Sequence, residues 1–230
     1  MTNLMKKQYF ILLILLIITM AILLFADFSP FNILNKRKII LDKSTTEKIE
    51  SSIEKAFNDI QITQSPIAVT LIILKKEAKA ELWITDERND FYQILTDSIP
   101  FINTKNGTKL LDNEPIIPEG IYEILTVNSS KNISFSINFP NEFDRSKQQA
   151  DNRPEFLSTI NFGTQKSTVL LTENLLHEFL FLAKSVKVEN AKIIILPNDL
   201  RKNKVIPPCS TCPQWIEELY GMLRMQVLRF

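Results

Sequence analysis

At 230 residues, with Lys+Arg 27 against Asp+Glu 26 and a net charge of +1, the chain suits one globular domain. It carries no bulk electrostatic pull toward nucleic acid, and no nucleic-acid partner is expected. Its 4 glycines, where about 16 are usual, exclude the phosphate-cradling loops of P-loop and dinucleotide folds. A structural zinc site needs four ligands, and 1 His with 2 Cys falls short of that, so no metal or other cofactor is expected.

In chain order, Lys6 and Lys7 precede an apolar run from Tyr9 to Ala26 that only Thr19 interrupts. As a helix this run spans about 27 Å, close to the hydrocarbon thickness of a bilayer. Leu24 and Phe25 before Ala26 make a poor cleavage pattern, so residues 1–26 read as an uncleaved signal anchor in preference to a cleaved signal peptide. Residues 27–43 read as a tether, whose Lys36, Arg37 and Lys38 blunt the charge asymmetry that would orient the anchor. Ser44-x-x-Glu47 reads as a capping box opening a helix within 44–66, with Ile49, Ile53, Ala56, Phe57 and Ile60 on one face.

From there to residue 200 the chain is rich in strand signals. Strands are predicted over 67–74, 79–85, 91–99, 120–127, 133–139, 158–162 and 168–171, with a further one over 192–196. The polar stretch 145–155 reads as a loop. Thr172 caps a helix with an apolar stripe of Leu176, Phe179, Leu180 and Ala183, which leaves His177 as a surface residue among Glu173 and Glu178. Residues 201–230 hold a linker, a Cys-x-x-Cys segment and a last helix over 214–223 with Pro213 at its first position. The expectation is a strand-rich α+β domain behind one transmembrane helix.

Three blocks carry the functional signal: Pro118-Glu119-Gly120-Ile121-Tyr122, Phe139-Pro140-Asn141-Glu142-Phe143-Asp144-Arg145, and Asn161-Phe162-Gly163. Taken alone, the first reads as a turn in which Pro118 fixes φ ahead of a glycine of unusual conformation, and the second as a strand ending in a turn with Phe139 in the core. Gly120 and Gly163 read as positions that a side chain cannot occupy. In their order and spacing, from Val69 to Lys187, the blocks resemble the catalytic half of the L,D-transpeptidases, most closely the murein enzymes of Gram-negative bacteria. The resemblance implies a β-sandwich or barrel with flanking helices, a cysteine acyltransferase that cross-links peptidoglycan, and a domain in the periplasm behind an inner-membrane anchor.

The chemistry that the resemblance implies is missing from the residues. Where the family has His-Gly followed by Ser-x-Gly-Cys, this chain has Phe162-Gly163 followed by Ser167-Thr168-Val169-Leu170. The general base thus reads as Phe162 and the nucleophile as Leu170. Val169, β-branched, stands where glycine lets the backbone amides face an oxyanion. No Cys or His occurs between Val69 and Leu176 to rescue a shifted register. No catalytic residue is therefore expected.

Pro118, Glu119, Gly120, Tyr122, Phe139, Pro140, Asn141, Asp144, Arg145, Gly163 and Ser167 are expected to keep a scaffold or a groove. Arg145 is the candidate partner of a stem-peptide carboxylate. The reading is a degenerate L,D-transpeptidase-like protein, a pseudoenzyme that binds peptidoglycan stems or modulates cell-wall enzymes. One alternative is an active cysteine L,D-transpeptidase with Cys209 or Cys212 as a displaced nucleophile, aided by His177. Another is a membrane-anchored interaction module, which an exposed apolar patch at Trp215, Leu219 and Leu223 would favour. Cys209 and Cys212 are expected to form a local disulfide that pins the last helix, with thioredoxin-like redox chemistry, metal binding and free thiols as the other readings.

Overall fold

A computed structural model describes residues 43–62, 65–103, 107–128, 132–202 and 212–230 of the chain. Its centre is a hairpin of β1 (Ala68–Leu74) and β2 (Lys79–Thr85), antiparallel with Leu71 opposite Leu82. The sequence AVTLIIL of β1 is apolar at nearly every position because both faces of this strand are covered. On one side β1 pairs in parallel with β8 (Ala191–Leu196), and β2 carries β3 (Phe91–Ser98) on its outer edge with a bulge between Leu82 and Trp83. Beyond β8 the sheet continues through β4 (Gly120–Asn128), β5 (Ser134–Ile137) and β6 (Asn161–Gly163), all antiparallel, to the two-residue β7 (Val169–Leu170), which runs parallel to β6.

The result is one eight-stranded mixed sheet in the order β3-β2-β1-β8-β4-β5-β6-β7. It curls until its two ends meet. Phe101, just past the edge strand β3, forms an isolated bridge with Leu170 of the other edge strand, and Thr172 beyond β7 hydrogen-bonds the Asp97 carboxylate of β3. The architecture is therefore a strand-rich α+β fold built on a single curled sheet with flanking helices.

The helices cover both faces. Ile72, Leu74, Ile194 and Leu196 pack beneath α4 (Ile216–Val227), whose Ile216, Leu219, Tyr220, Leu223 and Val227 point inward. The alternate residues Leu71 and Ile73 are turned to the opposite side, where α3 (Glu173–Ser185) packs on β1. The helix α1 (Lys43–Asp59) lies on α3, with Ile49 and Ile53 buried and Ser52 donating to Glu178 at 2.6 Å. It starts at Lys43, so Ser44 stands inside the helix and not at its N-cap.

Three expectations are corrected here. The stretch 145–155 is not a loop throughout, because α2 (Glu142–Ala150) occupies its first half. The cause is Asn141, whose Oδ1 accepts from the Asp144 N–H at 2.9 Å while the Asp144 carboxylate accepts from the Asn141 N–H at 3.0 Å. This is a capping box made from Asn and Asp in place of Ser/Thr and Glu. His177 is not a surface residue but only 8% exposed, since α3 is covered by the sheet on one side and by α1 on another. The last helix begins at Ile216, three residues beyond Pro213, which precedes a turn.

The anchor of residues 1–26 and its tether lie outside the described residues. Among the described residues no helix is long and apolar enough to cross a membrane. Cys209 likewise lies outside them, while Cys212 packs partly buried against the cluster beneath α4.

Candidate functional site

The first two sequence blocks meet at one end of the sheet, where β1 and β8 finish and β4 begins. Lys75, the residue after β1, is 1% exposed, and its ammonium reaches Glu119 Oε1 at 2.7 Å and the Gly107 carbonyl at 2.9 Å. Glu119, fully buried, accepts on its other oxygen from the Tyr220 hydroxyl at 2.6 Å, and its N–H donates to Thr108 Oγ1 at 2.8 Å. Burial lowers the pKa of Lys75 from its usual value, opposed by the Glu119 charge, and burial with that same charge raises Tyr220. Every ionisable group here has a partner, and none faces solvent. The cluster ties β1, β4 and α4 together and has no access for a substrate.

Gly120 opens β4 beside this cluster, but it does not take a left-handed conformation. Its requirement is space. A Cβ there would lie 2.7 Å from the Tyr122 hydroxyl and 2.9 Å from the ring carbon that bears it. Tyr122 is fully buried, packs edge-on against Phe139 at 6.2 Å, and directs its hydroxyl toward the Glu119 carbonyl, 3.4 Å away, and the Asp144 carboxylate. Burial pushes the Asp144 carboxyl up to about 6, against the opposing pull of the Asn141 N–H, Tyr122, Arg153 and Arg145. Asn141 adds a bond from its side-chain amide to the Ile121 carbonyl at 3.0 Å, which docks α2 onto β4. Pro118, Glu119, Gly120, Tyr122, Phe139, Pro140, Asn141 and Asp144 are thus brought together as one packed junction. Arg145 is not part of it, since it sits exposed on the outer side of α2.

The third block forms a different place. Phe162 is 0% exposed and stacks on Phe135 with ring centres 4.9 Å apart and planes 3° from parallel; Phe135 in turn packs against Phe179 of α3. Opposite residues in the β5–β6 ladder share a face, so Phe162 and Phe135 look into the core while Asn161 with Ser136, and Gly163 with Ser134, look outward. Phe162 is thus turned away from the open side of its own strand. Val169, paired with Phe162, is also fully buried, and Leu170 is held by its backbone, donating to the Phe101 carbonyl at 2.9 Å.

On the outward side of the same strands lies a cavity of about 390 Å³. Thr126, Ser134 and Ser136 line its floor, Asn161 one wall, and the loop with Gln165 and Ser167 its rim. Gly163 allows that loop to fold close, because a Cβ on it would stand 2.5 Å from Ser167 Oγ and 3.0 Å from Ser134 Cβ. Lys166, in the left-handed region at φ 49°, is the one charged residue of the lining among the described residues, which include no Asp, Glu, His or Cys there. The wall is able to donate and accept hydrogen bonds but holds no base to activate a serine hydroxyl. Arg145 does not line this cavity.

Among the residues brought together here, Lys75 and Tyr220 were not singled out from the sequence, and neither were Thr126, Ser136 and Gln165. Lys75 had a legible sign, a lysine closing a run of eight apolar or β-branched residues, Ile67 to Leu74. The other readings meet less support. Leu219 and Leu223 are buried on the inner face of α4 and Trp215 is half-buried, so these three residues form no exposed patch, while Met222 and Met225 are exposed on the outer side of the same helix. Cys212 belongs to the cluster under α4, on the face of the sheet opposite the one on which α3 carries His177.

No protein-family model matches this chain, and neither does any curated protein. Among solved structures it is similar to the helical cell shape determining protein Pgp2 from Campylobacter jejuni, at 12% identity and a TM-score of 0.44 over 64% of this chain and 55% of that one. The K307A mutant of Pgp2 aligns at 13% identity and a TM-score of 0.45, covering 77% and 62%. Bd1075 of Bdellovibrio bacteriovorus aligns at 15% identity and 0.39, covering 73% and 57%. The chain thus spans less than two thirds of each of these structures. At such scores the likeness carries no functional argument, and the site stands on its own residues.

Proposed function

We propose that this protein is a catalytically silent, L,D-transpeptidase-like component of the cell envelope that binds peptidoglycan or modulates its cross-linking. In this reading residues 1–26 anchor it in the inner membrane and the domain works in the periplasm. The observation that carries the proposal is the orientation of Phe162. At the position that corresponds to the family's histidine, an aromatic ring is locked into the core by a parallel stack on Phe135. A proton acceptor is therefore missing in identity and in direction, and Leu170 supplies no thiol. The cavity beside Gly163 retains hydrogen-bonding groups without a nucleophile–base pair, which supports binding without turnover.

The test is a D-amino-acid exchange assay on purified muropeptides with the full-length protein, run beside an active L,D-transpeptidase, together with co-sedimentation on insoluble peptidoglycan. Expected are exchange at the no-enzyme background and retention in the pellet. Exchange above background overturns the silent reading and directs attention to Cys209→Ser and Cys212→Ser. Failure to sediment overturns the binding reading.

A further inference from the structure

The cavity on the outward face of β4, β5 and β6 is a site with a ligand chemistry of its own. Its wall alternates with the core by strand periodicity: Phe135 and Phe162 point inward, and Ser134, Ser136 and Asn161 point outward from the same two strands. A solvent-facing sheet surface would ordinarily carry charged residues there. This one carries mainly hydroxyls and carboxamides, adding Thr126, Asn128, Asn132, Gln165 and Ser167 beside Phe135 and Lys166, with the Thr126 and Ser136 hydroxyls bonded to each other at 2.6 Å.

The hydroxyls and carboxamides have one property in common. Each both donates and accepts, whereas Lys and Arg only donate and a carboxylate only accepts. A ligand matched to them likewise presents donors and acceptors at the same point, as the hydroxyls and acetamido groups of a neutral sugar do. A carboxylate would call for a convergent cluster of cations, and among the described residues Lys166 is the only one in the lining.

Two further features mark the place as built. Gly163 leaves room for Ser167 to close within 2.5 Å of where a Cβ would be. Lys166, a non-glycine residue, holds φ 49°, a conformation that costs free energy and that folds the rim over the floor. The volume of about 390 Å³ falls at the lower end of the roughly 300–1,000 Å³ of small-ligand sites and admits a short oligosaccharide segment.

We propose that this cavity binds an uncharged N-acetylated glycan segment, with Asn161 and Gln165 as the principal hydrogen-bonding side chains. The inference rests on the binding reading above and specifies that the contact is made to sugar, not to the stem peptide. No bond is made or broken.

The test is calorimetric titration of the full-length protein with an N-acetylglucosamine tetramer and, separately, with a free stem tetrapeptide, each at low and high salt. Expected is saturable binding of the tetramer that is insensitive to salt, because the glycan carries no charge to pair with the protein's. Asn161→Ala and Gln165→Ala are each expected to weaken it about tenfold, the effect of losing one to two hydrogen bonds, while circular dichroism and Tm stay unchanged. Lys166→Ala is expected to leave it within about twofold, since no charge is matched there. Binding of the stem peptide alone, salt-sensitive and lost in Lys166→Ala, overturns the glycan assignment while leaving peptidoglycan binding intact. Binding of neither probe, with no retention on insoluble peptidoglycan, overturns both. Tetramer binding that survives the Asn161→Ala, Gln165→Ala double variant overturns the placement of the site.

Discussion

The junction at the start of β4 and the cavity beside β6 are both made from blocks that look transpeptidase-like in sequence, yet they divide the requirements of catalysis between them. The junction has the ionisable groups: Lys75, Glu119, Tyr220, Tyr122 and Asp144 lie in one connected set of hydrogen bonds and charges. Apart from Asp144, which is half-buried, none of these is open to solvent. The cavity has the access, and among the described residues its lining offers no carboxylate, imidazole or thiol, only the ammonium of Lys166. Acyl transfer needs a nucleophile and a base in one accessible place. Perturbed titration alone is a poor guide to a functional site when the groups are sealed into a structural junction.

The comparison is broken most directly by removing charge from the junction. Glu119→Ala strands the Lys75 ammonium in a site where its remaining partners are backbone carbonyls. Uncompensated buried charge costs about 3–5 kcal/mol, so the variant is expected to lose most of its stability in urea or thermal unfolding. A Lys75→Met, Glu119→Gln double variant removes the charge from both partners and leaves an acceptor for Tyr220, and it is expected to recover most of the loss. Equal destabilisation in the single and double variants would show that the cluster acts through packing alone.

The reverse change tests the other region. Phe162→His puts an imidazole where the sequence resemblance implies a general base, but it places a ring N–H in the core against Phe135. The lost stacking and the buried N–H together cost roughly 2–4 kcal/mol. Combined with Leu170→Cys it is expected to give no exchange, because the imidazole faces the core while the open side of the strand belongs to Asn161 and Gly163. Activity in that double variant would mean that the strand is able to turn over, and the distinction between the two regions would fall.

How much of this was written in the sequence differs between elements for physical reasons. The apolar runs of β1 and β8 and the alternation of β2 are strong local signals, and those strands stand within a residue of their expected limits. The helix α2 was missed although Asn141-x-x-Asp144 was in view, because its body, EFDRSKQQA, lacks an apolar stripe and so reads as solvated loop. His177 was misplaced because periodicity reports one buried face per helix, and α3 has a second face under α1. Gly120 and Gly163 signalled crowding, but crowding by Tyr122 and by Ser167 is a tertiary contact that no local rule supplies. The cavity was hidden for the same reason: Thr126, Ser134, Ser136 and Asn161 gather across three strands.

The smallest expected effect concerns the one group that links the buried junction to water. Asp144 is held at a pKa of about 6 in the folded protein, above the 3.8 of an ordinary aspartate, chiefly by burial, which outweighs the hydrogen bonds from the Asn141 N–H and Tyr122. The folded state therefore binds more protons than the unfolded chain between about pH 4 and 6, and linkage makes stability fall as pH rises through that window. The loss is roughly 1–2 kcal/mol once partial exposure is allowed for, and it is complete above pH 6, where both states are ionised. Asp144→Asn cannot ionise, yet its carboxamide oxygen still accepts from the Asn141 N–H and preserves the cap on α2. Unfolding by urea at pH 4, 5, 6 and 7 is expected to show the decline in the native protein and a flatter profile in Asp144→Asn, with equal m-values. The same decline in both would assign the pH dependence to other carboxylates and leave Asp144 as a helix cap only.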